Sequence, residues 1–192
     1  GGYSPAYSRS SPVQAGSDTT WRSVVCGSDA RMATKTDGTL WTWGVNNVGA
    51  SMQNNNPDSA TTRYISPKQV GSGTDWSEKI CFGSSSAAIK TDGTLWMAGE
   101  NQFGQLGQNA RNPNGISSPV QVPGTTWSDV LVQSYWAAAL KTDGTIWGWG
   151  RNLSGQLGQN SKTDYSSPVQ VGSGTDWTKI GNADAYGFVA FK

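Results

Sequence analysis

Three aspartates sit at the same place in a phrase that occurs three times. The phrase is Lys-Thr-Asp-Gly-Thr-(Leu/Ile)-Trp, at Lys35–Trp41, Lys90–Trp96 and Lys141–Trp147. A carboxylate repeated in this way could act as a general acid, a general base or a metal ligand. Its setting argues for a turn instead, because Asp-Gly between apolar runs marks a hairpin and an Asp there bonds its own backbone. The 192 residues include no His, which excludes His-based triads, His general bases and His metal ligands. Cys26 and Cys81 without His do not make a zinc site of the usual kind. Thirteen acidic residues are scattered, with no pairing in sequence of the sort that sugar hydrolysis needs. Gly-x-Asn-x-x-Gly, at Gly44–Gly49, Gly99–Gly104 and Gly150–Gly155, looks like a phosphate loop, but no helix follows to supply an anion-binding terminus. The chain therefore reads as non-enzymatic, with no catalytic residue, metal or cofactor.

The elements that position these residues form a repeat. The three phrases end at Trp41, Trp96 and Trp147, 55 and 51 residues apart, and a period near fifty with fixed turn residues and aromatics indicates a repeat architecture. A Trp stands fourteen residues before each Lys, at Trp21, Trp76 and Trp127. A Ser-Pro-x-Gln unit precedes each of those, at Ser11, Ser66 and Ser118, and a fourth begins at Ser167 ahead of Trp177. The units run approximately 11–65, 66–117, 118–166 and 167–192. The last is incomplete, and residues 1–10 resemble the tail of a preceding unit. Within unit two, Ser66–Val70, Trp76–Phe82, Ala87–Lys90 and Thr94–Gly99 read as four short strands. Strand alternation puts Trp41 with Trp43, and Trp147 with Trp149, on one face, with Leu40 and Thr42 opposite. Each buried ring removes about 150–250 Å² from water, at most on the order of 4–6 kcal/mol. Small sheets apolar on both faces stack on copies of themselves. The fold class is all-β: β-propeller blades of four antiparallel strands, about 3.7 units.

These residues resemble a known family. The run Lys-Thr-Asp-Gly-Thr-Leu-Trp, then Trp-Gly-x-Asn-x-x-Gly-Gln-Leu-Gly, then Ser-Pro-Val-Gln-Val, is similar to the bacterial or viral form of the regulator of chromosome condensation repeat over residues 11–192. Gln105–Gly107 and Gln156–Gly158 carry its most specific part. The resemblance implies a seven-bladed propeller, so this chain is expected to be a segment of a longer propeller, or to close a ring with further copies. Three departures stand out. Unit one has Gly49-Ala50-Ser51-Met52 in place of Gly-Gln-Leu-Gly, unit two has Ala98 where the others have Trp43 and Trp149, and the family's His after the second strand is absent throughout.

Function is then a question of surface. Net charge is +1 with 14% charged residues, which gives no electrostatic footprint for nucleic acid, and no apolar run suits membrane insertion. Cys26 and Cys81 are equivalent positions in successive units, too far apart in stacked sheets for a disulfide; Val132 takes that place in unit three. Candidate partner-binding residues are Tyr135, Trp136 and Tyr186, an aromatic cluster ahead of the third strand, and Asn54, Asn55, Asp58 and Arg63 in the long polar loop Gln53–Tyr64. The expectation is a binding or structural module that presents loops to a protein or surface glycan, in an extracellular or virion setting suggested by its Asn/Ser/Thr/Gly-rich surface. Two alternatives remain: an intracellular regulatory propeller of the nucleotide-exchange kind that the resemblance implies, and a glycan-active enzyme. Asn152-Leu153-Ser154 also matches a glycosylation sequon, as part of the repeated loop.

Overall fold

The computed structural model describes residues 17–192 except 28, 47, 55–62 and 185–186. Fourteen strands are present among them, in four antiparallel sheets in chain order. Sheet one comprises β1 (Trp21–Cys26), β2 (Ala30–Lys35), β3 (Leu40–Val45) and β4 (Arg63–Gln69). Sheet two comprises β5 (Trp76–Phe82), β6 (Ser85–Lys90), β7 (Leu95–Asn101) and β8 (Asn112–Gln121). Sheet three comprises β9 (Trp127–Val132), β10 (Trp136–Lys141), β11 (Ile146–Gly150) and β12 (Tyr165–Gln170). The described part of sheet four is β13 (Lys179–Asp184) paired with β14 (Gly187–Phe191). The first strand of each sheet meets the first strand of the next, so the sheets stack side by side as blades.

The blades are out of phase with the sequence units. Ser-Pro-x-Gln was expected to open each sheet, yet it closes the one before. Gln69 lies opposite Trp41, Gln121 opposite Trp96, and Gln170 opposite Trp147. A sequence period carries no phase, because any starting point gives the same spacing. The phase comes from the ladder, which extends past each Gln as Val70, Val122 and Val171 donate to the carbonyls of Leu40, Leu95 and Ile146 at 2.8 Å. The chain then crosses to the next sheet through 70–75 and 122–126.

The core lies between sheets. One cluster joins Met32, Leu40, Met52 and Val70 of blade one to Trp76, Ile80, Ala88 and Ala98 of blade two. A second joins Leu95, Met97, Leu106 and Val122 of blade two to Trp127, Val130, Val132 and Trp149 of blade three. Two of the sequence departures meet in these seams. Met52 of unit one occupies the position of Gly107 in unit two, and both have positive φ, 57° and 70°. At the second seam a Cβ on Gly107 would stand 3.1 Å from Nε1 of Trp149, so the glycine makes room for the indole. At the first seam the large residue is Met52 and the partner has shrunk to Ala98. Bulk has moved from one side of the seam to the other. Cys26 and Cys81 are both free thiols. Burial raises the pKa of Cys81, and its Sγ accepts from Val132 N–H of the next blade at 3.2 Å.

The repeated phrase fastens each blade to the next. Gly38 N–H donates to the Lys35 carbonyl and Lys35 N–H to the Thr39 carbonyl, both at 3.0 Å, and Gly38 takes φ of 78°. Asp37 Oδ1 accepts from the Thr39 N–H at 3.0 Å and the Thr39 hydroxyl at 2.7 Å. Thr39 Oγ1 in turn accepts from the Trp41 indole at 2.7 Å. The same chain of bonds recurs at Asp92, Thr94 and Trp96 and at Asp143, Thr145 and Trp147. The carboxylates are thus turn formers. The hydroxyl and N–H of the following Thr hold their pKa values below the ordinary aspartate range. The turn glycine carbonyls reach across the seam: Gly38 O accepts from Trp76 N–H, and Gly93 O from Trp127 N–H, both at 3.0 Å. The phrase Lys completes the joint. Lys35 Nζ lies 4.8 Å from the Trp21 ring and 4.0 Å from the Trp41 ring; Lys90 and Lys141 sit over the matching Trp pairs, and Lys192 sits over Trp177. Such contacts contribute about 0.5–1 kcal/mol each at exposed sites.

Three outcomes follow from this packing. Gly38→Ala places a Cβ 2.0 Å from the Thr74 carbonyl, whereas at Gly71 the φ of 58° faces open space. Denaturant unfolding is expected to show a loss of about 1 kcal/mol for Gly71→Ala and at least about 2 kcal/mol more for Gly38→Ala; equal losses would contradict the close approach. Ala98→Trp alone overpacks the first seam, at a cost of about 1–3 kcal/mol. Adding Met52→Gly restores part of it, with a double-mutant coupling of about 1 kcal/mol or more, and simple additivity would disprove the pairing. Because the hairpin carboxylates have depressed folded pKa values, their contribution is fully present above the unfolded value of about 3.9 and is lost as pH falls through the folded values. Stability should therefore decline below about pH 4, and replacing Asp37, Asp92 and Asp143 by Asn should flatten that decline.

Candidate interaction face

The sheets have two ends with different construction. At one end lie the hairpin turns and crossovers just described. At the other lie the β1–β2, β5–β6 and β9–β10 turns and the long Gly-x-Asn-x-x-Gly loops. Those loops are held from inside. Asn46, Asn101 and Asn152 are at most 1% exposed, and their Oδ1 atoms accept from the N–H groups of Ser51, Leu106 and Leu157 at 3.0–3.1 Å. Asn101 and Asn152 also donate to the carbonyls of Ala110 and Ser161 at 3.2 and 2.8 Å. Asn suits the place because one side chain can accept and donate across its own loop, as Asn101 and Asn152 do. The phosphate-loop likeness therefore dissolves into a loop staple. Asn152 of the sequon has no exposed surface to offer a glycan.

The fixed scaffold leaves its outward residues free to differ. Val45, Glu100 and Arg151 are equivalent positions, as are Val48, Phe103 and Ser154. At the seam of blades one and two the result is a groove of about 250 Å³ lined by Asp29, Val45, Val48, Ser84 and Glu100 among others. Desolvation raises the pKa of Glu100 there. At the seam of blades two and three the same place is filled. Phe103 and Tyr135 stand edge to face, ring centroids 5.2 Å apart. The Arg151 guanidinium lies over both, 5.1 and 5.4 Å from the centroids. Tyr135 and Leu153 are 37% and 54% exposed beside it. The two neighbouring seams thus show opposite charge.

The sequence candidates fall in different places. Tyr135 lies on this face. Trp136 does not: it is 1% exposed and packs with Phe188, ring centroids 5.9 Å apart, because the first residue of β10 points into the seam with blade four. The surface aromatic cluster expected of Tyr135, Trp136 and Tyr186 is therefore not formed by Trp136, and Tyr186 lies outside the described residues. Asn54 is a turn residue with φ of 53°, matching Asn109 and Asn160. Its N–H donates to Ser117 O at 3.0 Å and its Oδ1 accepts from Ser118 Oγ at 2.6 Å, tying blade one to blade two. Arg63 is exposed at the start of β4, opposite Val45. Asn55 and Asp58 lie outside the described residues. Sequence reasoning missed Phe103 and Arg151. Aligning the three loops position by position would have flagged both as the odd members of their columns.

A different apolar region lies on the outer side of blade one. Trp21, Trp41, Trp43, Val24 and Ile65 line a cavity of about 730 Å³ among the described residues, with Ile65 98% exposed. It corresponds to the face of blade three that blade two covers. Its chemistry is therefore that of a stacking surface.

Comparison with known proteins agrees with this construction. Residues 92–131 and 143–184 match the regulator of chromosome condensation (RCC1) repeat. The Ultraviolet-B receptor UVR8 of Arabidopsis thaliana is 29% identical over 152 residues, 77% of this chain and 33% of that protein. Protein RCC2 homolog of Danio rerio is 30% identical over 139 residues, 70% of this chain and 27% of that protein. The chain spans about a third or less of the length of these relatives. Among solved structures, Prp20p from Saccharomyces cerevisiae superposes with a TM-score of 0.71 at 16% identity, covering 80% of this chain and 39% of that one. With the hairpin phrase, the stapled Asn loop and the four-stranded blades in place, the chain carries regulator of chromosome condensation repeats at residues 92–131 and 143–184 and folds as β-propeller blades.

Proposed function

We propose that this chain is a non-enzymatic protein-interaction module that presents its loop face, not its hairpin face, to a protein partner. One observation carries the proposal. In all three described loops the buried Asn accepts from the backbone, while the outward residues change from blade to blade, from Val45 to Glu100 to Arg151. A rigid scaffold with variable exposed loops is how recognition surfaces are built. Exposed Tyr135 beside Arg151 matches the residue types that anchor interfaces. The hairpin face, in contrast, spends its Lys, Asp and Trp residues on its own joints.

The relatives support a regulatory, protein-binding role. The structure of Prp20p is reported together with its binding to Gsp1p and histones, and a second structure shows yeast RCC1 bound to Kap60. Neither the relatives nor the geometry supports a surface glycan partner or a virion setting, so the proposal is confined to proteins.

Affinity capture with three forms of the chain tests the assignment of faces. Leu153→Arg on the loop face is expected to remove the captured partner, and Thr142→Arg on the hairpin face to retain it, with unchanged melting temperatures. The reverse pattern would sink the proposal.

A further inference from the structure

The Arg151 guanidinium differs from the other charged groups of its neighbourhood. Arg111 is ion-paired to Asp164 at 3.4 Å. Among the described residues the Arg151 guanidinium has no hydrogen-bond acceptor and no ion-pair partner; its contacts are the two rings. Contact with two rings restricts the guanidinium but leaves its N–H donors unused. A guanidinium held in this way has already lost much of its side-chain freedom, so pairing it costs little further ordering. The group that satisfies such a fork is a carboxylate, taken bidentately.

The neighbouring seam adds direction. One blade away, where Arg151 has its counterpart in Glu100, the groove of about 250 Å³ is open and carries Asp29 and Glu100. Asp29 has no side-chain partner among the described residues. Glu100 accepts from Gln102 at its Oε1 and from Ser84, and lines the groove beside Ser84. A single extended segment crossing both seams would meet a negative groove and then a positive fork.

We propose that Arg151, clamped on Phe103 and Tyr135, seats an acidic side chain of a partner protein segment, whose basic side chain enters the Asp29–Glu100 groove. This deepens the loop-face reading and rests on it. The seat is carboxylate-specific, and the groove sets which way the segment runs.

Synthetic twelve-residue peptides with a fluorescent label test it by anisotropy, in four charge patterns: one basic and one acidic residue separated by a spacer, acidic only, basic only and neutral. The mixed peptide is expected to bind tightest. Arg151→Gln should weaken the mixed and acidic peptides by about tenfold or more, one factor of ten for each 1.4 kcal/mol. Arg151→Lys should restore only part of that, because charge alone does not reproduce the fork. Phe103→Leu, which keeps apolar bulk and charge but removes one clamp, should also weaken the acidic peptide. Glu100→Gln should weaken only peptides carrying the basic residue. The proposal is overturned if acidic peptides bind no better than neutral ones. It is overturned equally if Arg151→Gln leaves binding unchanged, if millimolar inorganic phosphate displaces the peptide fully, or if the chain itself dimerises through Arg151 in sedimentation. Loss of peptide preference while Leu153→Arg still abolishes partner capture would defeat this inference alone. Retention of the partner by Leu153→Arg would defeat the loop-face reading itself.

Discussion

The bond from the hairpin glycine carbonyl to the first Trp N–H of the following sheet is the joint on which the rest depends. A four-stranded sheet with two apolar faces has no stable existence alone, because each face must find cover. The joint decides which cover it finds. Gly38 and Gly93 sit at positive φ with the crossover chain pressed against them, so each turn and the start of the next strand are fixed together. The Asp–Thr–Trp relay stiffens the turn, and in the first three sheets the Lys laid over two indoles closes the gap between the first and third strands. A residue set that looks catalytic in sequence is thus consumed by architecture.

Seams made this way tolerate exchange of bulk. Trp149 against Gly107 and Ala98 against Met52 are two solutions of one packing problem, since interiors are filled close to crystal density and a large side chain needs a small partner. The same logic works at the loop end. A buried Asn holds each of the three described loops from within, so positions such as Glu100, Phe103 and Arg151 can vary without disturbing the blade. Stability is assigned to one set of residues and recognition to another, and the two sets interleave along a single loop.

Much of this was legible in the sequence. The period, the Asp-Gly hairpin and the alternation of Trp41 with Trp43 led to stacked all-β blades, and the structure has them. The phase was not legible: Ser66-Pro67-Lys68-Gln69 closes the sheet behind it, which only hydrogen-bond pairing decides. Trp136 was misplaced for a related reason. Its neighbours in sequence mark a turn, but the residue itself opens a strand whose inward positions are filled by the next blade. Arg151 was missed because a single Arg in a loop carries no signal until its stacking partner Phe103, from another blade, is beside it.

Native-state hydrogen exchange at the Trp76 and Trp127 amides tests the central claim most directly. These two N–H groups open their strands yet donate across a seam to Gly38 and Gly93. If the hairpin joint holds the blades together, both amides exchange as slowly as those of the buried strands β6 and β10, through opening of the whole stack. Exchange at the rate of exposed loop amides would show that the blades separate freely and would contradict the account.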